Sequence, residues 1–186
     1  MYLSKISIKD FRMFSDVVEV SFSKGLNLLV GENGSGKSSV VDAIRALLGE
    51  NEFSRRGIIE EDFYSVFCES QKKSSESLFI SGVFSNLTEA QKVEYLSWLD
   101  EDFNAKLSFE VQRTLNRRNN YKQKRWGGNS SNSFFDIEPL NDIQCVYLPA
   151  LRDAERSLRT GRGSRLARFI ANLSADDLKS NREKDE

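Results

Sequence analysis

The pattern of apolar and polar residues over the first 30 positions reads as strands. Ile6 and Ile8 share one face, Phe11 and Phe14 follow, and Val18, Val20 and Phe22 alternate with polar partners, which predicts an antiparallel hairpin. Ser23-Lys24-Gly25 supplies a turn, and Leu26-Asn27-Leu28-Leu29-Val30 is so nearly all apolar that it predicts a short strand buried on both faces. After a glycine-rich loop, Val40, Val41, Ile44, Leu47 and Leu48 recur at helical spacing from Lys37 onward, with Gly49 as the stop. Between Glu50 and Ser77 the pattern weakens to mixed polar residues, read as a mobile surface loop without chemistry. Leu78 to Phe84 predicts a strand. Thr88 caps a helix, with Gln91 completing a capping box and Val93, Leu96 and Leu99 on one face, ending near Asp100. Leu107, Phe109 and Val111 alternate and turn near Asn119-Asn120 towards Trp126, a second hairpin. Ile143 to Leu148 is again strand-like, Pro149 ends it, a helix starts near Ala150, and Ser164 caps another before a polar tail from Ala175 to Glu186.

Composition narrows the functions. The chain has 186 residues, 39% hydrophobic and 30% charged, and a net charge of -1, so any nucleic-acid surface must come from local clustering. Its longest apolar run, Cys145-Val146-Tyr147-Leu148, is far shorter than the ~18 residues of a membrane span. Two distant cysteines, Cys68 and Cys145, fit buried free thiols in a reducing cytoplasm rather than a disulfide framework. The absence of histidine removes Ser-His-Asp and Cys-His catalysis and every histidine metal site.

Against that background one motif carries chemistry. Gly31-Glu32-Asn33-Gly34-Ser35-Gly36-Lys37-Ser38, with Ser39 following, satisfies the phosphate-loop pattern between an apolar run and a helix start. Its glycines let successive backbone N–H groups curl around phosphate oxygens, and the helix N-terminus adds partial positive charge. Asn33, Gly34, Ser35, Gly36, Lys37, Ser38 and Ser39 are therefore the candidate ATP-binding residues. Lys37 is expected on the β- and γ-phosphates and is the candidate catalytic residue, and Ser38 is expected on Mg²⁺. Hydrolysis needs a second carboxylate on the metal and a group to orient water. Asp136, Glu138 and Asp153 are the nearest acids, but none follows a buried strand in the required way, and ordinary surface acids are the competing reading.

The opening Ile6-Ser7-Ile8-Lys9-Asp10-Phe11-Arg12-Met13-Phe14, with Gly25 to Ser39, resembles the N-terminal lobe of ABC-type ATPases of the SMC and RecF kind. Within that class, Phe79 to Thr88 and Tyr147-Leu148-Pro149-Ala150-Leu151-Arg152-Asp153-Ala154 resemble the OLD family, ATP-dependent endonucleases of phage and bacterial defence. The resemblance implies an α/β fold: a P-loop lobe with a mixed sheet, an antiparallel β portion and flanking helices. It divides the chain into a lobe over 1–150 and the start of a helical dimerisation insertion over 151–186. It implies a longer polypeptide whose other half brings signature, Walker B and a Toprim nuclease domain, and a homo-oligomer acting on DNA in the cytoplasm. It also places Arg12 near the nucleotide phosphates, a solvated strand-end cation being the alternative. A Q-loop glutamine is implied where the later strand leaves the sheet; Pro149 and Ala150 occupy that place and Gln144 the strand's start, so the role stays unassigned.

Two basic clusters bear on DNA. Arg113, Arg117, Arg118, Lys122, Lys124 and Arg125 are interleaved with Tyr121 and Trp126, and Arg156, Arg159, Arg162, Arg165 and Arg168 form the second. Each is either a phosphate-contacting surface or a solvated face. Three functions remain open: the ATP-binding part of an OLD-like nuclease, an SMC- or RecF-like DNA-repair ATPase, and a nucleotide sensor that does not hydrolyse.

Overall fold

A computed structural model describes residues 1–50, 56–68, 71–116, 120–132 and 138–148. It divides into two units, Met1–Cys145 and Val146–Glu186. The helices expected after Ala150 and Ser164, the polar tail, the second arginine cluster, Phe134-Phe135, Asp136, Asp153, Pro149, Ala150, Arg117 and Arg118 lie outside the described residues.

In the first unit a five-stranded sheet has the order β2-β1-β5-β6-β7, formed by Val18–Ser21, Tyr2–Lys9, Ser77–Ser85, Ala105–Leu115 and Tyr121–Gly127. All these pairings are antiparallel. The period-two pattern explains the sheet's two faces. Ile6, Ile8, Leu78, Ile80, Leu107, Phe109 and Val111 are fully buried on the inner face, whereas Lys5, Ser7 and Lys9 lie opposite. Register aligns the inner residues into rows: Val18, Ile8, Ile80, Phe109 and Arg125 form one, and Val20, Ile6, Gly82, Leu107 and Gly127 the next.

Helix α1 (Lys37–Leu48) covers this face with Val40, Ala43, Ala46 and Leu47. Two glycines let the covering elements approach. A Cβ on Gly82 would lie 2.6 Å from Leu47 Cδ2, and one on Gly127 would lie 2.3 Å from Trp98 Cδ1. The helix ends where Gly49, with φ 65°, returns its N–H to Ala46 and Arg45 carbonyls. Arg125 closes the same end: its Nη2 donates to the Ala46 carbonyl at 2.9 Å while its guanidinium stacks 4.0 Å from the Phe109 ring centroid. Burial lowers the Arg125 pKa.

The capping box at Thr88 and Gln91 is present and starts α2 (Glu89–Glu94), but the helix gives way to a 3-10 turn at Leu96–Trp98 rather than running to Asp100. Trp98 is thereby placed over Gly127. A short helix, α3 (Glu138–Asp142), is tied down by the Tyr95 hydroxyl, which donates to the Pro139 carbonyl at 3.2 Å. Cys145 is a half-buried free thiol whose pKa is raised by burial and by nearby Glu50.

Three further sequence expectations are corrected. Leu26 to Val30 forms no strand; Leu26 is 88% exposed and Val30 90% exposed. Ile143 to Leu148 likewise carries no strand, and Val146 and Leu148 are exposed. An all-apolar run becomes a doubly buried strand only between neighbouring strands, and the described residues offer neither run a partner. Conversely, the expected loop between Glu50 and Ser77 contains a 3-10 turn at Glu60–Asp62 and a hairpin of β3 (Ser65–Cys68) and β4 (Gln71–Ser74). Phe63 is buried there and stacks edge-on against Tyr121, 5.0 Å between ring centroids. No helix of the described residues is long and apolar enough to cross a membrane.

Candidate nucleotide site

The loop from Gly31 to Gly36 leads directly into α1. Gly34 and Gly36 take φ 85° and 89°, a region open to glycine and costly for other residues. Gly36 has a second constraint: a Cβ there would lie 2.7 Å from Phe14 Cζ and 2.8 Å from Met13 Sδ, because the turn between β1 and β2 arches over the helix start. No side chain caps α1 and its first turn holds no acid, so the positive end of its dipole is not neutralised from within.

Lys37 curls back over its own loop. Its Nζ donates to the Gly31 carbonyl at 2.8 Å, the Glu32 carbonyl at 2.6 Å and Ser35 Oγ at 3.4 Å. The ammonium thus sits among neutral oxygens rather than against a carboxylate, an arrangement that phosphate oxygens can replace. Ser38 is exposed and its hydroxyl has no hydrogen bond among the described residues, so a hard, oxygen-seeking cation such as Mg²⁺ can take it as a ligand. Ser39 is buried beside it, while Asn33, Gly34 and Ser35 are exposed. Among the described residues no group of three or more acidic or thiol side chains could hold a metal.

Arg12 stands next to this helix under unusual constraint. Its φ is 52°, and its N–H donates to the Asp62 carbonyl at 2.8 Å. The flanking Asp10 carbonyl accepts from the Tyr64 N–H at 2.9 Å, so the turn is pinned to the segment after the 3-10 turn. The side chain bridges two carboxylates: Nε donates to Asp62 Oδ1 at 3.1 Å and Nη1 to Asp42 Oδ2. Asp62 is 1% exposed and also accepts from Arg56 Nη2 at 2.7 Å and the Ile59 N–H at 3.1 Å. Asp42 in turn accepts from Arg45 Nη1 at 2.8 Å, and Arg45 reaches buried Glu50 at 3.0 Å. Charges therefore alternate along a chain from Glu50 through Arg45, Asp42, Arg12 and Asp62 to Arg56, which satisfies its buried members.

The structure brings Lys37, Ser38, Ser39 and the loop glycines together at the helix start, and Arg12 against the same helix at Asp42. Glu138 begins α3, and Gln144 lies in an unpaired stretch. Sequence reasoning missed Asp42 and Asp62 as partners of Arg12. Asp42 was a polar position within an apolar helical pattern, and Asp62 closes Glu60-Glu61-Asp62, a run with no periodicity to mark one member as buried.

Of the basic hairpin, Arg113 is already engaged: its Nη2 lies 2.8 Å from Glu60, which also accepts from the Tyr121 hydroxyl at 2.8 Å. Hydrogen bonding to Arg113, more than any other cause, lowers the Glu60 pKa below 4.5. Lys122 and Lys124 remain exposed, and Lys124 Nζ stands 5.7 Å from the Trp126 ring centroid.

The chain is similar to several known proteins. The chromosome partition protein Smc of Chlorobaculum tepidum is 56% identical over 50 residues, 27% of this chain and 4% of that protein. Smc of Bacillus subtilis is 40% identical over 74 residues, covering 39% of this chain and 6% of the relative. The DNA double-strand break repair Rad50 ATPase of Thermococcus kodakarensis is 52% identical over 44 residues, covering 24% and 5%. The chain thus corresponds to a small fraction of these proteins' length. Among solved structures, one from work on the structural biochemistry of ATP-driven dimerization and DNA-stimulated activation of SMC ATPases matches with a TM-score of 0.56 at 20% identity, covering 96% of this chain and 99% of that one. The Smc head domain of Pyrococcus yayanosii matches with a TM-score of 0.52 at 22% identity, covering 75% and 24%. These likenesses establish a mixed α/β fold of the SMC-head, P-loop type. The AAA ATPase domain model (AAA_15) matches residues 1–155, and the chain belongs to that family.

Proposed function

We propose that the chain is the nucleotide-binding lobe of an SMC- and Rad50-like ATPase, and that it binds ATP with Mg²⁺ through residues 33–39. The observation that carries this is the uncapped start of α1, with the Lys37 ammonium held only by loop oxygens. On nucleotide binding Lys37 exchanges those oxygens for β- and γ-phosphate oxygens, the loop N–H groups bind the same phosphates, and the Ser38 hydroxyl holds the metal. The metal would supply charge neutralisation across the phosphates. Arg12, held against α1 by Asp42 and Asp62, is assigned to the same site, where nucleotide phosphates would compete with those two carboxylates for its guanidinium.

Completion of the site requires a further part of the protein. The exposed Leu26 to Val30 run precedes the phosphate loop and supports a sheet that another ATPase half completes. We assign the lobe to 1–150 and the beginning of a dimerisation insertion to 151–186, acting in the cytoplasm as a homo-oligomer with DNA as the macromolecular ligand. Lys122 and Lys124, both exposed on β7, are the cations we assign to its phosphates. An OLD-like nuclease is the second reading, favoured by the sequence around Tyr147 to Ala154; metal-dependent DNA cleavage by the complete protein separates it from an SMC-like clamp.

Calorimetric titration of ATP with Mg²⁺ into the wild type and Lys37→Ala, with phosphate release followed in parallel, tests the reading. The expected result is wild-type binding, at least about ten-fold weaker in the variant, without turnover by this chain. Equal binding by the two proteins removes the proposal. Turnover by the wild type alone means that an acid such as Asp136, Glu138 or Asp153 completes the metal site.

A further inference from the structure

Phe103 takes φ 58°, a conformation that costs a bulky side chain dearly, yet its ring is 64% exposed, so burial does not offset the strain. The loop that presents it is rigidly built. Asp100 Oδ1 accepts from the N–H groups of Asp102 at 3.0 Å and Asn104 at 2.9 Å, and the Phe103 N–H donates to the Asp100 carbonyl at 3.2 Å. Lys92 Nζ, on α2, lies 5.7 Å from the Phe103 ring centroid, so ring and helix adjoin. Val93 on α2 and Leu96 in the 3-10 turn that follows it are also exposed, at 75% and 69%.

Charge around this surface is one-sided. Over residues 86–105 five acids (Glu89, Glu94, Asp100, Glu101, Asp102) oppose Lys92 alone, a net charge of -4 against -1 for the whole chain. Lys92 is paired with Glu89 at 2.7 Å, whereas Glu94, Glu101 and Asp102 have no ion-pair partner among the described residues. Asp100, Glu101 and Asp102 also line a cleft of about 350 Å³ with Glu19, Lys5 and Lys106; Lys5 pairs with Glu19, and Lys106 donates to the neutral Asn129 amide, so the acids of the cleft outnumber its cations four to two.

We propose that Phe103, Val93 and Leu96 form a docking surface for a basic amphipathic protein segment, with Phe103 as its anchor and Glu94, Glu101 and Asp102 facing the segment's Lys and Arg. A rigid, pre-oriented aromatic binds at little entropic cost, and an acidic rim around an apolar centre selects cationic partners. The same rim repels nucleic-acid phosphates and a second copy's identical patch, and its charge is complementary to a basic protein segment. The surface is independent of the nucleotide site, so loss of ATP binding would leave it untouched.

The test uses the full chain and two dye-labelled synthetic helical peptides with leucines at positions i, i+3, i+4 and i+7, one carrying lysines elsewhere and the other glutamates. Fluorescence anisotropy is expected to show salt-sensitive binding of the lysine peptide only. Phe103→Asn, which accepts a positive φ, is expected to weaken it about ten-fold while the melting temperature holds or rises. The double variant Glu101→Lys, Asp102→Lys is expected to weaken it too and to flatten the salt dependence. Equal binding of the two peptides, no binding of the lysine peptide, unchanged binding by either variant, or a fall in melting temperature for Phe103→Asn would each overturn the proposal, the last by showing that the ring is structural.

Discussion

At Gly36 the smallest side chain meets two demands at once, a φ of 89° and Phe14 at 2.7 Å from any Cβ. Gly36→Ala is expected to lose about 1–2 kcal/mol from the backbone alone, with more from the clash, and to weaken ATP binding; thermal unfolding and the nucleotide titration read the two effects separately. Asp62 is the buried member between Arg12 and Arg56. Asp62→Ala removes the acceptor shared by Arg12 Nε, Arg56 Nη2 and the Ile59 N–H, while Arg12 keeps Asp42; the loss of stability is expected to be about 1–3 kcal/mol, measurable by urea unfolding. Glu60 offers a pH test. Its folded pKa lies below its ordinary 4.5, so its stabilising contribution is complete above that value and lost as pH falls through the lowered one. Glu60→Gln is expected to flatten the fall in melting temperature below pH 4.5 while leaving the slope near neutrality unchanged. The phosphate loop was legible because the motif names its residues one by one; the pairing of Arg12 with Asp62, 50 positions apart, depends on a tertiary contact that no local pattern encodes.

Among the elements, those whose pattern reflects a single buried face were readable. Alternation identified β1 and β6, the run Leu78 to Phe84 read as the strand that became β5, and the 3.6-residue repeat with Gly49 as a stop bounded α1. Hydrophobicity without periodicity misled, because Leu26 to Val30 records that burial is needed and not what provides it. The small β3–β4 hairpin was missed for the opposite reason: Gln71 to Ser74 is polar throughout, and its strand character comes from pairing with Ser65 to Cys68. Contact between α1 and the sheet is most sensitive at Gly82. Gly82→Ala is expected to push Leu47 outward and cost about 1–3 kcal/mol by overpacking, seen as a lower melting temperature with the circular dichroism spectrum retained.

On the scale of the whole molecule, an α1-covered antiparallel sheet coexists with an apolar stretch beside the phosphate loop that is open to solvent. Such a stretch favours association. Light scattering is expected to show concentration-dependent self-association of this chain, and Leu28→Lys with Val30→Lys to reduce it without lowering the melting temperature; a wild type that stays monomeric at high concentration would contradict this. The row Val20, Ile6, Gly82, Leu107 and Gly127 has a different implication for how the sequence tolerates change. Because the two positions without a side chain are the ones into which Leu47 and Trp98 press, a survey of tolerated replacements would invert the usual ranking, with methyl-sized additions failing at the glycines while the larger leucine between them still accepts a methionine.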